Sequence, residues 1–301
     1  MLPQGTPCSL SLEIPLPSSF RPGGVLHYYG RDKIGTSEKA WNDGFEKSFW
    51  FCNAPAHVLV RFRGLTANVK AVIDAKVDLD CLNREILEVV SRILGLAQPI
   101  SEFESLAKAD PVLSEMIIKT KGLRVPQTVS PWEALISSVI GQQVSVAAAT
   151  SIRSRFIGGL GSAHSSGMFC FPSATCVADL GAERLLEFGI STAKSNTIFS
   201  LAEKVKLGQL SLERPVFTEK QSAEFSRELI SFKGVGPWTV NYTFLRGYAF
   251  LDGSLHGDAV IRKQVAKLLG KTQIPICDAQ DWLMKYRPWR GLLAAHLWTL
   301  A

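Results

Sequence analysis

The sequence predicts an α+β protein: an antiparallel sheet with accompanying helices at the N-terminus, then a longer all-helical part. Three observations point there. Alternating and β-rich segments occur only in the first third of the chain. From about Ser101 onward, apolar residues recur instead at three- and four-residue spacing. Several of these later stretches open on helix-start residues.

The elements follow in order. Residues 10–14 (Leu-Ser-Leu-Glu-Ile) alternate and stop at Pro15, as a half-buried strand does. Residues 57–62 are rich in β-formers and end near Gly64, and residues 69–75 are short and contain β-branched side chains. Residues 81–94 read as a helix with Leu82, Ile86, Val89 and Ile93 on one face. Ser130-Pro131-Trp132-Glu133 combines a Ser cap, Pro in the first turn and Glu three residues after the cap. The helix it starts presents Trp132, Leu135, Ile136, Val139 and Ile140 on one side. Gly141, Gln142 and Gln143 interrupt it, and residues 144–156 form the next helix. The glycines between 158 and 167 read as a flexible loop. Further helices are expected around residues 198–205, 225–230, 237–245, 259–269, 282–286 and 289–298.

Composition sets the outer limits. With 46% hydrophobic and 20% charged residues over 301 positions, the chain can build a sizeable core, so wholesale disorder is excluded. At roughly 150 residues per domain it holds about two domains, or three. No apolar run approaches the roughly 20 residues of a membrane span. Residues 1–8 lack a basic stretch followed by an apolar one, so no signal peptide is expected. The 6 cysteines are scattered without a Cys-x-x-Cys pair, and the 5 histidines do not cluster with them. The expectation is a cytoplasmic protein with reduced thiols and no zinc site. The 33 basic against 27 acidic residues leave +6, which permits a polyanionic partner without requiring one.

The segment with most chemistry runs from Glu228 to Tyr242. An apolar helix enters Gly234-Val235-Gly236, and a second helix begins at Pro237. Two glycines allow a tight turn and close approach to another surface. The following helix presents free N–H groups and the positive end of its dipole, which suits a phosphate. Val235 can anchor the turn in the core. The plain alternative is a helix–helix connection without a ligand. Downstream, Asp258 is placed to cap the helix starting at Ala259. Its simple reading is a structural cap. Its functional reading is a carboxylate stabilised by a helix N-terminus inside a cleft.

Four segments carry a resemblance. They are Ile136 to Ser145; Gly236-Pro237-Trp238-Thr239-Val240-Asn241-Tyr242 with Leu245-Arg246-Gly247; Gly257-Asp258; and Arg287-Pro288-Trp289-Arg290 with His296-Leu297-Trp298. From about Val129 onward the chain resembles the helix-hairpin-helix DNA glycosylase superfamily, and within it the DNA-3-methyladenine glycosylase II (alkylbase glycosylase) group. The N-terminal third resembles that group's α+β domain only in length and strand content. The resemblance implies an N-terminal domain over 1–98, a C-terminal helical lobe from 99–125 and 253–301, and a central lobe over 126–252 that contains the hairpin.

The resemblance also implies activity and site residues. Members flip a damaged base out of duplex DNA and hydrolyse its glycosidic bond. Asp258 matches the essential carboxylate. Trp238, Tyr242 and Trp298 match the aromatic base pocket, with Tyr28 or Tyr29 closing it from the N-terminal domain. An electron-rich face attracts a cationic alkylated purine by about 0.5–2 kcal/mol. Trp289 reads as core. Gly234, Val235, Gly236, Thr239 and Lys233 match the backbone-binding hairpin, and Gln142 and Gln143 the loop that fills the gap left by the flipped nucleotide. The alternative for both glutamines is a solvated helix end. Arg246, Arg262 and Lys263 lie near the same segments as further DNA contacts. The carbonyls of Ile230, Phe232 and Val235 match those that hold a sodium or potassium ion. Glycosylase/lyases carry Lys two residues after the second hairpin glycine. Trp238 stands there, which implies a monofunctional hydrolase. Iron–sulfur relatives carry four cysteines after the catalytic segment, but only Cys277 lies there, so no cluster and no organic cofactor is expected. The expected partner is double-stranded DNA containing damaged alkylated purines, met by a monomer, at the nucleoid if the chain is bacterial. The alternatives are a glycosylase for oxidised or deaminated bases, and a non-catalytic hairpin protein that binds damaged DNA. A metabolic α+β enzyme is more distant, since no nucleotide-binding loop follows a strand.

Overall fold

Five strands form one antiparallel sheet in the order β1-β5-β4-β3-β2. The computed structural model describes residues 7–216 and 218–300, without the side chains of residues 79–81; residues 1–6, part of the segment read for a signal, lie outside it. The strands are β1 (Cys8–Pro15), β2 (Glu38–Trp41), β3 (Gly44–Phe51), β4 (Ala54–Arg63) and β5 (Thr66–Ile73), with helix α1 (Gly23–Tyr29) between the first two. Helix α2 (Leu79–Ile93) lays Leu82, Ile86, Val90 and Ile93 into the sheet core, all fully buried. The three predicted strands are present. Strands β2 and β3 and helix α1 are additional.

The helical part comprises α3 (Ile100–Ala109), α4 (Ser114–Thr120), α5 (Pro131–Gly141), α6 (Val146–Leu160), α7 (Ala174–Leu180), α8 (Ala182–Leu185), α9 (Thr192–Lys206), α10 (Glu219–Ile230), α11 (Pro237–Tyr248), α12 (Ala259–Leu268), α13 (Ile276–Met284) and α14 (Arg290–Trp298). One core is filled by α5, α6, α7, α9 and α10. A second joins α3 and α4 to α12, α13 and α14 across a long sequence gap. Helix α11 serves both: Val240 and Phe244 enter the first core, while Leu245, Trp238 and Tyr242 meet the second. Trp289 lies in the second core, as expected. Gly158 and Gly159 continue α6 and do not open a loop. A Cβ on Gly159 would lie 2.2 Å from the Phe188 ring, so that glycine lets the ring pack on the helix.

Ser130 caps α5 through the Glu133 amide, at 3.2 Å, but the Glu133 carboxylate does not return to the cap. It turns into the interior, where Lys47 on β3 lies 2.8 Å from both Glu38 on β2 and Glu133. Arg153 on α6 closes the square at 3.0 Å from Glu38 and 2.6 Å from Glu133. Two cations and two anions thus cancel inside the protein, between the sheet and the helical part. Burial pushes the Glu38 carboxyl up, but Arg153 and Lys47 outweigh burial and hold it below its ordinary range. For Lys47, burial acts downward and the two glutamates win, raising it.

Removing one member strands a buried charge. Lys47→Met is expected to cost about 3–5 kcal/mol in urea unfolding. Glu38 is depressed on folding, so its contribution is complete above the unfolded glutamate value of about 4.3 and is lost as pH falls through the lower folded value. Denaturant midpoints should therefore drop on acidification below that point, and drop less in Glu38→Gln, already lower at neutral pH.

Candidate active site

The hairpin lies between α10 and α11. Gly234 has φ +89°, and a Cβ there would lie 2.2 Å from the Thr197 hydroxyl oxygen, so both backbone and space require glycine. The Thr197 hydroxyl, on α9, donates to the Lys233 carbonyl at 2.9 Å and fixes the turn. Val235 is buried in the central core and its amide donates to the Phe232 carbonyl at 3.0 Å. Gly236 has extended backbone and caps α11, and nothing lies within 4 Å of where its Cβ would stand. Its glycine opens a face to an incoming surface. Lys233 is exposed beside it.

The connection from α5 to α6 is tied to this hairpin. The Gln142 amide donates to the Gly234 carbonyl at 2.9 Å and to the Thr239 hydroxyl at 2.7 Å. Thr239 is buried, so its hydroxyl serves that link and is not presented outward. Lys194 on α9 donates to the carbonyls of Ile140 and Gln142 at 2.9 and 2.7 Å, and burial lowers its pKa. Gln143 is exposed with φ +55°, followed by the exposed Val144 and Val146. Of the two glutamines, Gln142 is a brace and Gln143 is the tip.

Asp258 caps α12, as its position suggested. One carboxylate oxygen accepts the amides of Val260 and Ile261 at 2.9 and 3.0 Å. The other accepts the indole N–H of Trp238 at 2.9 Å. The second contact links the carboxylate to the helix that follows the hairpin, and it is more than a cap needs.

The aromatics assemble beside it. Trp238 stacks on Tyr242 with centroids 5.1 Å apart, and Trp298 on α14 follows at 5.9 Å. Tyr28 joins them through Arg246, whose guanidinium carbon lies 4.4 Å from the Tyr28 ring centroid and 5.8 Å from those of Tyr242 and Trp298. Arg246 is 5% exposed and donates to the Pro126 carbonyl at 2.9 Å, so its expected place near the DNA backbone is corrected: it lies within the fold. Burial raises the Tyr242 phenol, but the positive charges of Arg246 and Arg31 outweigh it and lower the pKa. Tyr29, the other suggested aromatic, stacks on Phe45 at 4.8 Å and donates to the Gln127 carbonyl at 2.6 Å; it lies fully buried in the sheet core, apart from Trp238, Tyr242 and Trp298. A cavity of about 710 Å³ is walled by Tyr28, Arg31, Arg246 and Trp298 among others; Tyr242 adjoins it through Trp298 and Arg246, and Trp238 and Asp258 follow on from Tyr242. Arg31, Lys194 and Thr197 carry no local sequence signal, because each acts on a segment remote in the chain. Among the described residues, no group of three His, Cys, Asp or Glu side chains is placed to hold a metal ion, and no helix is long and apolar enough to cross a membrane.

The two hairpin glycines should separate in experiment. Gly234→Ala is expected to cost about 1–3 kcal/mol by thermal unfolding. Gly236→Ala should melt near the parent and instead weaken binding to a fluorescent duplex.

No family model matches the chain. Among curated proteins it is 28% identical to a DNA-3-methyladenine glycosylase of Bacillus subtilis over 220 residues, 72% of each chain. It is 30% identical over 213 residues to a probable bifunctional transcriptional activator/DNA repair enzyme AlkA of Mycobacterium tuberculosis, covering 69% of this chain but 41% of that longer protein. Among solved structures, the 3-methyladenine DNA-glycosylase of Archaeoglobus fulgidus superposes with TM-score 0.80 at 17% identity, over 95% and 96% of the two chains. The 8-oxoguanine glycosylase/lyase of Clostridium acetobutylicum in complex with double-stranded DNA gives 0.73 at 16% identity, over 93% and 90%. At these identities the structural likeness shows the fold.

Proposed function

Because the chain belongs to the helix-hairpin-helix DNA glycosylase superfamily, we propose that it is a monofunctional DNA repair enzyme. It extrudes alkylated purines, of the 3-methyladenine and 7-methylguanine type, from duplex DNA and hydrolyses their glycosidic bonds. The observation that carries this reading is the bond from Trp238 to Asp258, which holds the carboxylate in register with the hairpin. The amides of Gly234 and Gly236 and the start of α11 take a DNA phosphate, with Lys233 alongside, while Val235, its amide already bonded to Phe232, anchors the turn. The nucleotide rotates out and the tip at Gln143 occupies the gap, with Gln142 holding that tip in place. As the glycosidic bond breaks, its electron pair leaves with the base and positive charge grows on the sugar. Asp258 stabilises that charge. A water adds to the sugar carbon and passes its proton to Asp258. Purines alkylated at N3 or N7 already carry positive charge, so they leave with little acid assistance. Hard carbonyl oxygens at Ile230, Phe232 and Val235 suit a sodium or potassium ion that would steady the hairpin. The relatives with solved DNA complexes support duplex DNA as the partner, which the chain meets as a monomer in the cytoplasm, on the nucleoid if bacterial.

The fold is shared with 8-oxoguanine glycosylase/lyases, whose chemistry needs an amine at the hairpin. Trp238 offers none, and borohydride should trap no covalent adduct with DNA. Asp258→Asn is expected to slow base release from methylated duplex by about 10²–10⁴-fold while duplex affinity persists. Release at the parent rate would exclude the mechanism.

A further inference from the structure

Two guanidinium groups stand on the aromatic set. Arg246 lies over Tyr28, Tyr242 and Trp298, and the Arg31 guanidinium carbon lies 4.9 Å from the Tyr28 ring centroid. Both line the cavity of about 710 Å³, whose other cationic walls include Arg21, Lys121 and Arg124 and whose lining contains no carboxylate. Both guanidiniums bond the Tyr242 hydroxyl and Arg246 also bonds the Pro126 carbonyl; among the described residues neither has an ion-pair partner, and the Nε of each is buried without an acceptor. Guanidinium offers five donors and accepts nothing. A buried N–H left unpaired, as on the part-buried Arg31 and the buried Arg246, costs free energy until something with lone pairs meets it. The ligand that fits this cavity therefore brings acceptors.

The inference rests on the glycosylase reading above. Two base types compete for such a pocket. Purines alkylated at N7 of guanine or N3 of adenine are both cationic in DNA, so charge repulsion from Arg31 and Arg246 weighs on both and does not choose between them. Their edges differ. A guanine-type base turns a carbonyl oxygen outward at position 6, and an adenine-type base turns an amino group there. A guanidinium donates to the first and opposes the second. We propose that Arg31, set against Tyr28 with Arg246 behind it, reads the exocyclic carbonyl of the extruded purine, so that 7-methylguanine and the deaminated base hypoxanthine are favoured over 3-methyladenine. The aromatic faces supply stacking, and the two arginines supply the choice.

The test is the ratio of bases released from one methylated duplex, which contains both 7-methylguanine and 3-methyladenine, under single-turnover conditions and corrected for spontaneous loss. Arg31→Met is expected to lower the rate ratio of 7-methylguanine to 3-methyladenine by about tenfold. Arg31→Lys, which keeps a charge but loses the fork, should fall between. A hypoxanthine duplex should slow along with 7-methylguanine. An unchanged ratio in Arg31→Met overturns the proposal. So does equal slowing of both lesions with weaker binding to undamaged duplex, which makes Arg31 a phosphate contact. If the parent protein releases neither base, the glycosylase reading fails and the inference falls with it, a result distinct from release with an unchanged ratio.

Discussion

The buried square of Lys47, Glu38, Glu133 and Arg153 is the constraint on which the rest depends. Any one of these charges alone in the interior would cost several kcal/mol. Together they neutralise one another, but only when β2, β3, α5 and α6 are all in place. The square therefore fixes the angle and height at which the helical part sits on the sheet. Apolar packing is non-directional, whereas paired charges with hydrogen-bond geometry also fix direction. Helix α5 then packs on α11, which carries Trp238, Tyr242 and Arg246. Helix α1 hangs from the sheet and brings Tyr28 to Arg246. The meeting of Tyr28 and Arg246 is thus decided by an ion cluster whose Glu38 and Arg153 reach Tyr28 through their charge.

Helix α11 is where the parts converge. Its first residues follow the hairpin, its middle faces both helical cores, and Arg246 in its last turn is anchored by Pro126 in the segment between the cores. Asp258 comes from the next helix, Trp298 from the last, and Gln142 from the end of α5. The site is an intersection of helix ends. Helix ends suit it because they leave backbone amides unpaired, and the cap at Asp258 and the turn at Gly236 both use that property.

Much of this arrangement was legible in the sequence wherever the information is local. A cap, a turn glycine and a spaced apolar face are written in neighbouring residues, so Ser130, Gly234, Val235 and Asp258 are found where they were expected. Strand β3 was not legible, because Lys47 occupies a buried position and breaks the alternation that marks a strand. Glu133 read as a cap partner for the same reason: its true partners are Lys47, from β3, and Arg153, from the next helix. Tyr28 and Tyr29 are adjacent and chemically identical, and only the direction of α1 separates the one over Arg246 from the one in the sheet core. Arg246 read as a DNA contact because a charged side chain near a binding motif looks exposed until its neighbours are known.

The C-terminal core is made of two pieces of chain that flank the central one, and it is pinned by bonds such as that between Thr120 and His296, 176 positions apart. Closing so long a loop from an unfolded chain carries an entropy cost that rises with the logarithm of its length. The central lobe is one continuous segment that buries its own core, and once folded it brings its two ends toward each other and shortens the loop left to close. Assembly order follows. Loop-closure entropy favours an order in which the hairpin takes shape with the contiguous unit and the wall that holds Trp298 closes after it. A half-assembled chain thus has the turn at Gly234 before it has the wall at Trp298, and the aromatic set stays open on that side until the last helix docks.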